Sequence, residues 1–130
     1  MSSLVSAGED RLAHEKAVRL PAAQVVADLR EILGATLVAY LGGVKETRAV
    51  AEWAAGKREP SSQTMNRLRT AFRVATLLRT RDNNGVVRAW FQGMNPHLED
   101  VAPARVLRGQ PLEEAGPAVI SAARAFVAAG

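Results

Sequence analysis

RAWFQGMNPHLEDVAPARVLRGQPLEEAGPAVISAARAFVAAG, residues 88–130, is the stretch from which the rest of the chain is read. It opens on a paired aromatic, Trp90 and Phe91. A turn follows at Gly93-Met94-Asn95-Pro96, because the proline ring crowds Asn95 out of helical geometry. Pro103 suits the first turn of a short helix through Arg105, Val106 and Leu107, where its missing N–H leaves nothing unpaired. Gly109 stops that helix. The last helix starts near Pro111, with Glu113 and Glu114 in its first turn, where the helix dipole favours negative charge. Pro117 lies close enough to that start to be tolerated, and Phe126 closes the helix. Leu112, Ala115, Val119, Ala122 and Phe126 form one apolar stripe on it; Ile120, Ala123 and Val127 form another, displaced around the axis. A helix apolar over so much of its circumference is buried on more than one side. It is a central core helix, a seam between copies of the chain, or a face completed by a partner.

Working upstream, the clearest helical period is Met65, Leu68, Phe72, Ala75 and Leu78, widened by Ala71 and Val74 and capped by Ser61 or Ser62. Before it, Leu37, Val38 and Leu41 predict a short helix. Gly42-Gly43 makes a turn, Val44 is an apolar plug, and a second helix runs from about Lys45 to Ala55 with Ala49, Val50 and Trp53 inward. Helix, glycine turn and helix at this spacing is a helix-turn-helix pattern. A further helix begins at Pro21 and carries Val25, Val26, Leu29, Ile32 and Leu33 to Gly34. Residues 1–19 show no sustained pattern and read as a flexible segment, with at most a helical lead-in near His14. Strand signals are nearly absent, so the fold class is all-α: a helix-turn-helix domain over 20–82 and a small helical domain over 83–130.

The order of these features resembles the Xre/MbcA/ParS antitoxin family. The residues that carry the likeness are Trp90-Phe91, Asn95-Pro96, Leu98, the 103–107 segment and the small-residue final helix, with an Xre-like helix-turn-helix upstream that includes Trp53, Gly56 and Pro60-Ser61. The resemblance covers residues 20–130. It implies a type II antitoxin that binds a RES-domain toxin, an NAD-depleting enzyme, and blocks its active-site entrance.

The chain has 130 residues, no cysteine and a net charge of +4. Without cysteine there is no disulfide, thiolate nucleophile or cysteine-held metal. No apolar run approaches membrane-spanning length and no signal pattern opens the chain, so a cytoplasmic protein is expected. The charge is uneven: Lys57, Arg58, Arg67, Arg69, Arg73, Arg79, Arg81 and Arg88 face only Glu59 and Asp82 across residues 57–88. That stretch is either a solvated arginine face or a patch for an acidic partner.

Catalytic chemistry is not in view. His14 and His97 are far apart, Gly42-Gly43 lacks the residues of a phosphate-binding loop, and Glu99-Asp100 and Glu113-Glu114 are neighbours that do not face one another on a helix. No catalytic, metal or cofactor site is assigned, and the chain is expected to work by binding. The toxin-binding residues are placed at Ile120, Ala123, Arg124, Phe126, Val127 and Gly130. There the second stripe exceeds what a small lobe can cover, the tail past Phe126 is narrow, and Arg124 and the terminal carboxylate supply charge. Operator DNA is a second expected partner. Its contacts would be Lys45, Thr47 and Arg48 at the start of the second helix-turn-helix element, with Lys57 and Arg58 beyond it. The alternative function is a transcriptional repressor without a toxin. The working state is a homo-oligomer or a complex with the toxin.

Overall fold

Helix Ser62–Arg79 is the axis of the computed structural model, which describes the backbone of residues 2–129 and the side chains of residues 7–129. In chain order the helices are α1 (Ser2–Arg19), α2 (Ala22–Leu33), α3 (Ala35–Gly42), α4 (Thr47–Ala54), α5 (Ser62–Arg79), α6 (Asn84–Gln92), α7 (Pro103–Gly109) and α8 (Leu112–Ala129), with a single 3-10 turn at Pro96–Leu98. Among the described residues there is no strand, only one isolated bridge between Asn95 and Val101. The fold is all-α. None of its described helices is long and apolar enough to cross a membrane.

α5 is apolar around much of its circumference because it meets α1, α2, α3 and α8. Met65, Leu68, Ala71, Phe72, Val74, Ala75, Leu77 and Leu78 are all buried on it. Its first turn is capped as the sequence predicts: Ser61 Oγ accepts from the Thr64 N–H at 3.1 Å. α2 buries Val25, Val26, Leu29 and Leu33, one stripe at helical spacing, and packs on α4 and α5. α3 and α4 are joined by a tight turn, opened by Gly43 in the left-handed region at φ 73°, where a side chain would be strained. α4 begins at Thr47 rather than near Lys45, since Glu46 is extended at φ −104°. Ala49, Val50 and Trp53 point inward as expected.

Asn83 caps α6, its side chain accepting from the Val86 N–H at 3.0 Å. The polar Asn83-Asn84-Gly85 run, at the boundary expected between residues 82 and 83, therefore starts a helix. Trp90 and Phe91 meet edge to face at 5.4 Å. Beyond α6 the chain folds around buried Asn95, whose side chain accepts from the His97 N–H at 2.9 Å while its carbonyl accepts from the N–H groups of Leu98 and Asp100. α7 returns towards α3, where the Arg108 guanidinium lies 4.4 Å from the Tyr40 ring centroid. Pro117 sits inside α8, in the second turn after Leu112, and is exposed.

Two expectations are corrected. The segment expected to be flexible over 1–19 is helical over its described residues: Ser2–Arg19 form α1, which packs on α5 and α8 and buries Ala13 and Ala17. Among its described side chains the buried ones are Ala13 and Ala17, too small to announce a helix in the sequence. Secondly, one continuous cluster of buried side chains runs from Ala13 to Val127, crossing the boundary expected between residues 82 and 83. α8 reaches back to α5, so the last helix shares the core of the first two-thirds of the chain.

Candidate functional site

α8 carries most of the residues assigned to toxin binding, and the structure separates them. Ala123 is 0% exposed and Val127 5%, and Ile120 is packed against the core. The second stripe is therefore not free. α8 packs on α5, α7 and α1, and α1 is the element the sequence reading did not supply. Arg124 is half exposed, and its guanidinium pairs with Asp10 of α1 at 2.6 Å. Gly130 lies outside the described residues. Phe126 is the member that faces outward, 39% exposed.

Phe126 stands as a ridge between two hollows. One, of about 300 Å³, is lined by Trp90, Met94, Asn95, Pro96, His97, Ala122, Ala125, Phe126 and Ala129. The other, of about 380 Å³, is lined by Arg81, Asp82, Phe126, Val127 and Ala129. The ring of Phe126 lies 6.4 Å from that of Trp90, tilted by 58°. Met94, at the tip of the turn before Asn95, is the most exposed large apolar side chain among the described residues, at 81%. Val86, also exposed, precedes Trp90 by one turn of α6 and so shares its side of the helix. Three exposed apolar side chains thus gather around one buried tryptophan. Met94 was visible in the sequence only as a turn residue; that a turn places it beside the end of α8 depends on the tertiary fold.

The second candidate surface lies on α4, which packs on α2 and α3. Lys45, Thr47, Arg48, Lys57 and Arg58 are all exposed. Arg58 makes a loose ion pair with Glu52 at 3.9 Å; among the described residues no side-chain hydrogen bond or ion pair engages Lys45, Thr47, Arg48 or Lys57. These groups are free to meet an anionic ligand, and they flank both ends of one short helix.

The arginines downstream are mostly not free. Arg67 donates to the Leu41 carbonyl at 2.8 Å, Arg79 to that of Asp82 at 2.6 Å and Arg88 to that of Ile32 at 3.3 Å. Arg69 donates to the carbonyls of Ala17 and Leu20, Arg73 binds Asp10, and Arg81 binds Glu9. For Arg73 and Arg81 the acidic partner is the chain's own α1; the other four donate to backbone carbonyls.

His97 is exposed in the 3-10 turn, and Glu99 and Asp100 beyond it adopt left-handed backbone at φ 54° and 63°. Among the described residues no three His, Asp or Glu side chains come together as a metal-binding group. No protein-family model, curated protein or solved structure matches this chain.

Proposed function

We propose that this chain is an antitoxin of the Xre/MbcA/ParS type. In this reading it neutralises a RES-domain, NAD-degrading toxin by docking across its active-site entrance, with no catalysis of its own. The observation that carries the reading is the ridge of Phe126 over Trp90, flanked by Met94 and two hollows. An aromatic anchor beside a flexible thioether is the composition of a protein-docking centre, and a polar rim of Arg81, Asp82 and His97 surrounds it. The resemblance of residues 88–130 to the toxin-binding segment of that family supports the same assignment. The contact surface is centred on Phe126, with Arg124 and Met94 beside it. Ala123 and Val127 act by holding α8 in place. The test is co-purification with a RES-domain protein encoded beside this chain, followed by measurement of cellular NAD when the toxin is expressed alone and together with it. Protection and a stable complex are expected; a RES-domain neighbour that neither binds nor is restrained overturns the reading.

A second reading, operator binding, is favoured by the exposure of Lys45, Thr47, Arg48 and Lys57 around α4. Thr47 and Arg48 open that helix, the position from which such a helix reaches base edges, and Lys57 and Arg58 follow its end, suited to phosphates. Glu46 and Glu52 on the same element oppose phosphate contact. The two readings are compatible as autoregulation of one operon, and a mobility shift with the chain's own promoter, with and without toxin, separates them.

A further inference from the structure

Four arginines on α5, α8 and the segment between them converge on α1. Arg69 Nη1 donates to the carbonyls of Ala17 at 2.9 Å and Leu20 at 2.8 Å, holding the C-terminal end of α1. Asp10 is shared by Arg73 at 3.2 Å and Arg124 at 2.6 Å, and Glu9 meets Arg81 at 3.2 Å. Between these clamps α1 offers the core two small side chains one turn apart, Ala13 and Ala17. Of its large apolar residues among the described side chains, Leu12 and Val18 are exposed. A face of alanines removes little apolar area from water, so the charged clamps carry much of the hold. The clamps are also incomplete. Three arginines share two carboxylates, and Arg73 Nε and Glu9 Oε2 are buried without a hydrogen-bond partner. Unpaired buried polar groups oppose the closed state.

We propose that the α5–α8 face beneath α1 is a docking site for an acidic, small-faced helix of a partner protein, and that α1 is its resident, displaceable occupant. α1 defines what the site accepts: two small residues four apart, preceded by an acidic pair whose carboxylates reach Arg73, Arg81 and Arg124. A partner helix with one more carboxylate at this point satisfies Arg73 Nε, which α1 leaves unpaired. Displacement frees Arg124, two residues before the Phe126 ridge on α8. The site is thereby continuous with the surface assigned to the toxin, yet the opening of α1 is a property of this chain alone.

The chain contains no cysteine, so a single introduced thiol reports opening. Ala13→Cys lies on the buried face of α1, and Ala39→Cys lies in α3; both positions are buried. In the full-length protein the thiol of Ala13→Cys is labelled at least about tenfold faster than that of Ala39→Cys, and 0.5 M salt (roughly a threefold shorter screening length than dilute buffer) widens the ratio. The site itself is probed with a fluorescent peptide of residues 7–20, AGEDRLAHEKAVRL, added to the full-length chain. It binds Asp10→Asn protein at least about tenfold more tightly than wild type, because the competing occupant is weakened, and the peptide carrying Glu9→Gln and Asp10→Asn does not bind. Labelling of Ala39→Cys in the Asp10→Asn background confirms that the protein stays folded. Equal labelling rates for Ala13→Cys and Ala39→Cys mean that α1 leaves only on global unfolding and overturn the proposal. So does a peptide that binds neither protein, or that binds equally well without its carboxylates.

Discussion

Replacing Gly42 with alanine puts the α3–α4 packing under direct strain. The added Cβ would stand 2.9 Å from Cζ3 and 3.1 Å from Cη2 of Trp53. Carbon atoms in favourable contact sit about 3.5–4.0 Å apart, so one of the two groups must move. Trp53 is 4% exposed and wedged on α4 between α2 and α3, so its rigid ring has no open side to swing towards. Overpacking of this kind costs about 1–3 kcal/mol, against which alanine in place of glycine at a helical position returns about 1 kcal/mol. Because the clash is with a rigid buried ring, the cost falls in the upper part of that range, about 2–3 kcal/mol, and the net expectation is a loss of about 1–2 kcal/mol, or a melting temperature lower by about 3–8 °C for a chain of this size. Gly109→Ala is the control: it also ends a helix, but nothing lies within 4 Å of its added Cβ. That variant should be neutral or more stable by up to about 1 kcal/mol. Urea unfolding followed by tryptophan fluorescence, with thermal melts by circular dichroism, reads both. If Gly42→Ala melts with wild type and Gly109→Ala, Trp53 does not seat against the end of α3 and the packing described above is wrong.

Other substitutions separate fold from function. Phe72→Ala removes a side chain only 3% exposed at the centre of α5 and should cost about 3–5 kcal/mol in the same urea assay; an unchanged midpoint would contradict the phase of that helix. Val127→Glu forces an unpaired charge into a site 5% exposed, so it should lower the melting temperature of the isolated chain before any partner is added. A Val127→Glu protein as stable as wild type would mean that α8 is not seated on the core as described. Arg48→Ala should leave stability within about 0.5 kcal/mol, since no partner within the fold is lost. If α4 meets an operator, the same change should weaken a promoter shift, and binding should fall steeply with salt; an undiminished shift would remove Arg48 from the contact surface.

The helical stripes were legible in the sequence because large apolar residues at a helical period report directly which face is buried. Met65, Leu68, Phe72 and Leu78 on α5, and Val50 with Trp53 on α4, sit inward as that period requires. α1 was not legible for the complementary reason. Its buried face is Ala13 and Ala17, and alanine at two positions is indistinguishable from composition in a chain rich in it. Its hold comes from Glu9 and Asp10 meeting arginines 63 to 114 residues away, which no local pattern encodes. Missing α1 contributed to the error on α8: Ala123 and Val127 looked uncovered in a small separate lobe, whereas α8 packs on α5, α7 and α1 in one shared core. The same omission made Arg69, Arg73 and Arg81 look available to an outside partner. Phe126 was assigned to the partner surface from the sequence, but as part of a stripe; only the fold shows it standing apart from that stripe, over Trp90 and beside Met94.

The measurement that bears most directly on the antitoxin reading is a titration of the RES-domain toxin encoded beside this chain, following loss of NAD, with wild type and with Phe126→Ala. Phe126 is 39% exposed, so its truncation should cost the fold little, and circular dichroism will show an intact helix content. As a docking anchor it is worth about 2 kcal/mol or more of binding, roughly a thirtyfold loss of affinity. Wild-type protein is expected to stop NAD loss at a fixed stoichiometric ratio, and Phe126→Ala to need roughly thirty times the free concentration for the same effect. NAD loss undiminished by wild type at any ratio would contradict the proposed function, and equal inhibition by the two proteins would contradict the placement of the docking surface at the end of α8.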